Sequence, residues 1–203
     1  MRFAALDIGK RTGVSVGDAG SMPQKVFAVD LFAGSRARLE RMVRLDQMPR
    51  DEFLQCGVGG MGRFLDWLRL TYQVEAIVAE HYMSPAGMRS ADAGEWQLLL
   101  HGAVKGFCGL HGIRTYLPHA ATITKHFLGS VPAKSRGPKT ARQKKEMRDT
   151  KKAAYVQRAQ LLGYLPRDVY DEDKADSAAL YDLASASIFH SPISNFQMFG
   201  AAQ

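Results

Sequence analysis

Three apolar stretches in this chain each meet acid where the pattern calls for an apolar residue. Phe3-Ala4-Ala5-Leu6 runs into Asp7, followed by Ile8-Gly9. Ala76-Ile77-Val78-Ala79 runs into Glu80, and Asp173-Lys174-Ala175-Asp176 opens a helix-like run over 177–188. A carboxylate in an apolar run is costly to bury unless it is paired or binds a metal. Several such places in one small chain predict that negative charge is gathered to hold hard cations. Each acid also has a plainer reading. Asp7 suits a turn before Gly9, and Glu80 a strand end meeting solvent. Asp173 suits a helix N-cap and Asp176 a first turn favoured by the helix dipole. Against that reading, Asp176 is in phase with Ala179, Leu180, Leu183 and Ala184, the stripe a helix buries. One gathering of charge explains all four acids; the plainer readings must each hold separately.

At 203 residues, with 46% hydrophobic and 23% charged residues, the chain predicts one globular domain with a proper core. The expected domain spans residues 1–190, with a loosely held tail over 191–203. The first residues read as a strand rather than a signal peptide, and no apolar run reaches the roughly 18 residues of a membrane span. Cys56 and Cys108 have no ligand-like spacing and read as reduced thiols of a cytoplasmic protein.

The formal charge is +7, and it is concentrated. Lys134, Arg136, Lys139, Arg142, Lys144, Lys145, Arg148, Lys151 and Lys152 stand against only Glu146 and Asp149, so this stretch carries the whole excess. Arg36, Arg38, Arg41 and Arg44 form a second cluster, diluted by Glu40 and Asp46. Such concentration suits a polyanion, nucleic acid above all; a solvated loop is the bland alternative.

Elements able to position the acids follow from periodicity. Residues 2–9 read as a buried strand, 10–13 as a turn, 14–17 and 26–32 as further strands of an antiparallel meander. Residues 34–51 are ambiguous, with helical spacing that Pro49 ends. A helix is predicted over 57–72, a strand over 74–79 ending at Glu80, a loop over 81–90 and a long helix over 94–111. A fifth strand over 113–117 and a short helix through Phe127 follow. Residues 131–150 are low in apolar content and read as a mobile basic loop. Helices over 151–162 and 176–188 close the chain. The sum is an α/β fold: a mixed five-stranded sheet, its first three strands antiparallel, with helices on both faces.

Leu6-Asp7-Ile8-Gly9 with Thr12-Gly13-Val14 resembles the first-strand motif of the RuvC-type Holliday junction resolvases, of the ribonuclease H-like superfamily. Further pieces resemble that family in order: Ile77-Val78-Ala79-Glu80, then Leu117-Pro118 with Ile123-Thr124-Lys125 and Gly129, then Lys151-Lys152-Ala153 leading to Leu161-Leu162-Gly163, and Asp173-x-x-Asp176-Ser-Ala-Ala-Leu. An insertion around 131–150, without the family's compact glycine-lysine segment, looks like the phage and prophage branch. The resemblance implies a catalytic, metal-binding tetrad of Asp7, Glu80, Asp173 and Asp176, with Asp7 bridging two Mg²⁺ ions and Mn²⁺ able to substitute. It implies a Lys151 beside the site, facing the scissile phosphate or the attacking water. Where the family presents an aromatic wedge to the junction, this chain has Tyr82 and Met83, and His81 is expected to line the site. Lys125, Lys152 and the basic residues from Lys134 to Arg148 are the expected DNA contacts.

The implied activity is paired phosphodiester hydrolysis of four-way or other branched DNA by a homodimer, with helix 94–111 and its Trp96, Leu100 and Phe107 as candidate interface. Other readings remain open at this point. One is a nuclease of the same fold acting on other DNA or RNA, and another a non-catalytic nucleic-acid-binding protein. The phosphate loop of an actin-like ATPase reads Asp-x-Gly-x-x-x-x-Gly, to which Asp7-Ile8-Gly9 with Gly13 comes close, but 203 residues supply only one of the two domains it needs.

Overall fold

A computed structural model describes residues 1–82, 91–129 and 140–189. The strands are β1 (Arg2–Asp7), β2 (Arg11–Asp18), β3 (Lys25–Asp30), β4 (Ala76–Ala79) and β5 (Arg114–Tyr116). The helices are α1 (Arg36–Arg44), α2 (Arg50–Tyr72), α3 (Ala91–His111), α4 (Ala120–Leu128), α5 (Ala141–Leu161) and α6 (Glu172–Leu183), the last running into a π-helical turn, Ala184–Ile188. The sheet order is β3-β2-β1-β4-β5. β1, β2 and β3 are antiparallel; β4 and β5 join β1 in parallel. This is the expected mixed sheet.

Strand alternation sends successive side chains to opposite faces. Ala4 and Leu6 of β1, with Ile77 and Ala79 of β4, pack against α2 and α3 through Leu65, Leu68, Leu100 and Val104. Phe3, Ala5, Ala76 and Val78 face the other way, against Ile123, Phe127, Tyr155, Val156, Leu180 and Tyr181 of α4, α5 and α6. β1 and β4 are buried on both faces, hence their unbroken apolar sequence.

Several boundaries differ from expectation. β2 begins at Arg11, so the turn after Asp7 is tighter and Arg11 belongs to the strand. α2 starts at Arg50, with Pro49 as its N-cap and Asp51 and Glu52 in the first turn, where the dipole favours acid. The basic segment is not a loop over 141–150; those residues are the first half of α5. Thr140 forms a capping box with Gln143, and Arg142 pairs with Glu146 one turn on at 3.0 Å. Helix propensity and a good cap outweigh the low apolar content that suggested a loop. The expectations for 131–139 and for the tail from 191 lie outside the described residues. Both cysteines are free thiols, and among the described residues no helix is long and apolar enough to cross a membrane.

Gly13 shows how tightly α6 sits on the sheet. A Cβ there would lie 1.8 Å from the Asp173 carbonyl oxygen. Gly13→Ala must push α6 off β2, and overpacking of this kind costs about 1–3 kcal/mol. A fall of several degrees in melting temperature, about 2–4 °C per kcal/mol in a chain of this size, is the expected result. An unchanged melting temperature would show that the contact yields freely.

Candidate active site

Leu6 pairs with Ala79 in the parallel β1–β4 ladder. The next residue of each strand is an acid, so Asp7 and Glu80 leave the sheet side by side at one end, on the face opposite Leu6 and Ala79. Asp7 is also opposite Gly13 on β2, and it is over Gly13 that the first turn of α6 lies. Ser15 and Ser177 share a hydrogen bond at 3.0 Å, which fixes α6 on β2. Asp173 and Asp176, three apart on α6, share a helix face. The N-cap of α6 is Asp171, whose carboxylate accepts from the Lys174 amide at 3.2 Å. Asp173 is therefore not the cap; it stands in the first helical turn.

Asp7 and Asp176 feel the charges of the other acids. Burial raises the Asp7 pKa well above its ordinary value, and the charges of Asp176, Glu80 and Asp173 raise it further. Asp176 is pushed up to about 6, first by burial, with Glu80 and Asp173 adding to it and Lys152 and Lys151 opposing. Burial also raises Glu80, with Lys151 opposing. Like charges brought together at a partly desolvated place are expensive, and fold stability alone gives no reason to assemble them.

Basic side chains rim the acids. Lys151 acts on Glu80 and Asp176 and places its ammonium over the Tyr155 ring, 5.0 Å from the centroid. Lys152, expected only as a DNA contact, reaches the same acids. Burial opposes its charge, but its bond to Glu172 and the fields of Asp176 and Asp173 raise its pKa. Sequence reasoning missed Arg11, which had been assigned to a turn. Its guanidinium grips Asp171 at 2.6 and 3.1 Å and also donates to Asp173. Only its strand position, four residues after Asp7, would have signalled this.

A cavity of about 70 Å³ opens beside the acids, lined by Asp7, Ile8, Glu80, His81, Tyr82, Gln97 and His101. His81 does line the site. It stacks on Tyr82, 4.8 Å between centroids, and its Nδ1 donates to the Tyr82 carbonyl oxygen at 2.8 Å. Tyr82 is partly exposed at this mouth rather than packed in the core, with the Lys105 ammonium 5.4 Å from its ring centroid. His101 is buried; desolvation, then Lys105 and His81, lowers its pKa to about 4, so it is neutral near pH 7. Gln97 Oε1 is buried and accepts no hydrogen bond within the described residues. Gln97 and His101 both come from α3 and carry no sequence signal as ligands.

Of the expected DNA contacts, Lys125 is exposed on α4, and Arg142, Lys145 and Arg148 are exposed along the first half of α5. Met83, Lys134, Arg136 and Lys139 lie outside the described residues, as does the side chain of Lys144. Trp96 and Leu100, expected at a dimer interface, are buried against the sheet instead, and Phe107 is partly buried beside them. Trp96 stacks edge-on to Phe32 and Phe53.

The donor set suits a hard divalent cation. Asp7 and Asp176 bear the charges of neighbouring carboxylates, and an unpaired amide oxygen lines the adjoining cavity, which is large enough for ordered water. Among the described residues no three acidic, histidine or cysteine side chains are closed into a ready cage. The acids converge as charges, while Asp173 is engaged by Arg11.

No protein-family model matches this chain, and no curated protein matches it. Solved structures do. Thermus thermophilus RuvC bound to a Holliday junction substrate aligns over 91% of this chain and 94% of its own, with 12% identity and a TM-score of 0.60. A second Thermus thermophilus RuvC structure aligns over the same shares with 15% identity and a TM-score of 0.58. The yeast mitochondrial Holliday junction resolvase Ydc2 aligns over 89% of this chain and 75% of its own, with 15% identity and a TM-score of 0.48. The fold is therefore RuvC-like, a ribonuclease H-like mixed sheet flanked by helices.

Proposed function

We propose that this chain is a divalent-cation-dependent endodeoxyribonuclease that resolves four-way or other branched DNA junctions by phosphodiester hydrolysis. One observation carries the reading. Asp7, Glu80, Asp173 and Asp176 come from three separate segments to one end of the sheet, where the charges of the other three raise the cost of ionising Asp7, and those of Glu80 and Asp173 the cost of ionising Asp176. RuvC-like architecture, and a junction substrate held by one protein of that fold, support DNA as the target.

Asp7, Glu80, Asp173 and Asp176 would hold the cations, Mg²⁺ or in its place Mn²⁺. A bound pair of such ions supplies an activated water and stabilisation of the leaving 3′-oxygen. The chain's own groups orient the rest. Lys151 and Lys152 offset the negative charge of acids and scissile phosphate together. Arg11, anchored by Asp171, pairs with Asp173 and holds it in place. Tyr82, with Met83 after it, presents an aromatic face at the mouth, able to stack on an unpaired base. Arg142, Lys145 and Arg148 of α5, with Lys134, Arg136, Lys139 and Lys144, track the phosphate backbone. The nuclease acts in the cytoplasm as one domain over 1–190.

Labelled four-way junction, flap, linear duplex and RNA–DNA hybrid, incubated with the protein in Mg²⁺, test the reading directly. The junction should be cut fastest, by paired nicks, and chelation should stop the reaction. Equal or faster cutting of flap, duplex or hybrid would assign a simpler nuclease of the same fold. Binding without cutting in either Mg²⁺ or Mn²⁺ would assign a non-catalytic DNA-binding protein.

Paired nicks on a near-two-fold junction call for a two-fold dimer. With Trp96 and Leu100 turned inward, the surface left on α3 is its outer face. Leu98 (48% exposed), Leu99 (38%) and Leu110 (80%) flank Gly102, Gly106 and Gly109, where an added Cβ would meet nothing. A second copy of α3 fits this open apolar face. Sedimentation at micromolar concentration should show a dimer that Leu99→Glu with Leu110→Glu dissociates. A wild-type monomer, free and on the junction, would remove the paired-nick mechanism.

A further inference from the structure

The second basic cluster has no part in the site described so far, and its helix is unusual. α1 carries no fully buried residue; Leu39, Met42 and Val43 only lean on the core. Its single acid, Glu40, is already taken. Lys10 donates to it at 2.9 Å, and Arg36 lies 3.9 Å away, one turn back. Lys10 is itself held over the rings of Phe53 and Trp96, 5.3 Å from each centroid. The side chains of Arg38 and Arg41 make no ion pair or hydrogen bond among the described residues, and that of Arg44 acts on Glu40 only through its field. All three are exposed. At 3.6 residues per turn they fall within about a third of the helix circumference, along about 9 Å of axis. Duplex DNA carries about one phosphate charge per 1.7 Å of its own axis, so a ridge of this length can span more than one phosphate.

The position of α1 gives the ridge its meaning. Lys10 follows Asp7 by three residues, at most about 10 Å of extended chain, and its side chain ties α1 to that turn. α1 leans on the α2–α3 side of the sheet, whereas α5 packs on the opposite side with α4 and α6. Two basic helices thus lie on opposite faces of the sheet, α5 reaching the acids through Lys151 and Lys152 and α1 tied through Lys10 to the turn after Asp7. We propose that the Arg38, Arg41 and Arg44 face of α1 is a second DNA-backbone site, holding duplex phosphates on the side of the cleavage site away from α5. A nuclease that must keep two strands in place around one scissile bond gains from being clamped on both sides.

The inference rests on the DNA reading above, and the experiment separates the two. Binding of a fixed four-way junction is measured against salt in Ca²⁺, with hydroxyl-radical footprints. The proteins are wild type, an α1 variant (Arg38→Gln, Arg41→Gln, Arg44→Gln), its charge-conserving partner (Arg38→Lys, Arg41→Lys, Arg44→Lys) and an α5 variant (Arg142→Gln, Lys145→Gln, Arg148→Gln). Melting curves confirm that each is folded. At about 0.9 per phosphate contact, the α1 glutamine variant should flatten the slope of log affinity against log salt by about 2–3. It should lose a set of protected phosphates different from the set lost by the α5 variant, and the lysine variant should keep both slope and footprint. An unchanged slope, or loss of the same phosphates as the α5 variant, overturns the α1 site while leaving the DNA reading intact. Wild type that binds no DNA overturns both.

Discussion

Asp7→Asn is expected to abolish cleavage while junction binding persists. The two side chains are nearly isosteric, so β1 and its neighbours should keep their places. What disappears is the charge at the centre of the acidic group, the one that Asp176, Glu80 and Asp173 all act on. On the proposed reading, a divalent cation would lose one of the carboxylates that would hold it, and with it part of the activation it would supply to water. Removing one electrostatic group from an active site commonly costs about 10²–10³ in rate, and a loss of at least about 10³ is expected here. On the proposed reading, affinity should rest on Lys and Arg contacts to phosphates, which leave Asp7 out. Single-turnover cleavage in Mg²⁺, with binding measured in parallel, decides the matter. A rate near wild type would mean that the acids are not the catalytic centre.

Asp176→Asn should stabilise the metal-free protein at neutral pH and weaken its response to metal. The folded-state pKa of Asp176 is about 6, against 3.8 for the free side chain. Between those values the folded chain holds a proton that the unfolded chain has released. The carboxyl is therefore harmless below pH 3.8, and stability falls as pH rises to about 6, after which the penalty is complete. A rise of this size corresponds to on the order of 2–3 kcal/mol. Asn never ionises and avoids that penalty. Metal-free Asp176→Asn should melt about 4–12 °C above wild type at pH 7.5, given about 2–4 °C per kcal/mol, and the gap should close toward pH 4. Millimolar Mg²⁺ should raise the melting temperature of wild type at pH 7.5 more than that of the variant, because ligation stabilises only the folded form. A variant that melts below wild type in chelator at pH 7.5, or that responds equally to Mg²⁺, would show that Asp176 is a structural acid.

These two outcomes have one origin. The chain holds charges together at a cost to its own stability, which is how functional sites commonly depart from the rules that build the rest of a fold. That departure is visible in the sequence. Asp7 and Glu80 interrupt apolar strands, and Asp176 interrupts an apolar helix stripe, so their inward direction follows from periods of 2 and 3.6. The meander, the two parallel strands and most helices follow from the same periods. The start of α5 was misjudged because the low apolar content of 141–150 outweighed a capping box that was also present in the letters, Thr140 with Gln143.

Other features were not legible at all. α3 carries Leu98, Leu99 and Leu100 in succession, so its pattern does not choose a phase. Only packing against β1, β4 and α2 turned Leu100 and Trp96 inward and left Leu98 and Leu99 outside. Arg11 meets Asp171 and Asp173 across some 160 residues of sequence. The meeting depends on Gly13 letting α6 rest on β2, a contact no local pattern encodes. Gln97 becomes an unpaired oxygen beside the acids only when α3 is laid across the end of the sheet. Local periodicity thus determined which acids turn inward and on which elements they ride. The long-range approach of α3, α5 and α6 to the sheet decided which cations and polar groups surround them, because those contacts depend on distance in space rather than on order along the chain.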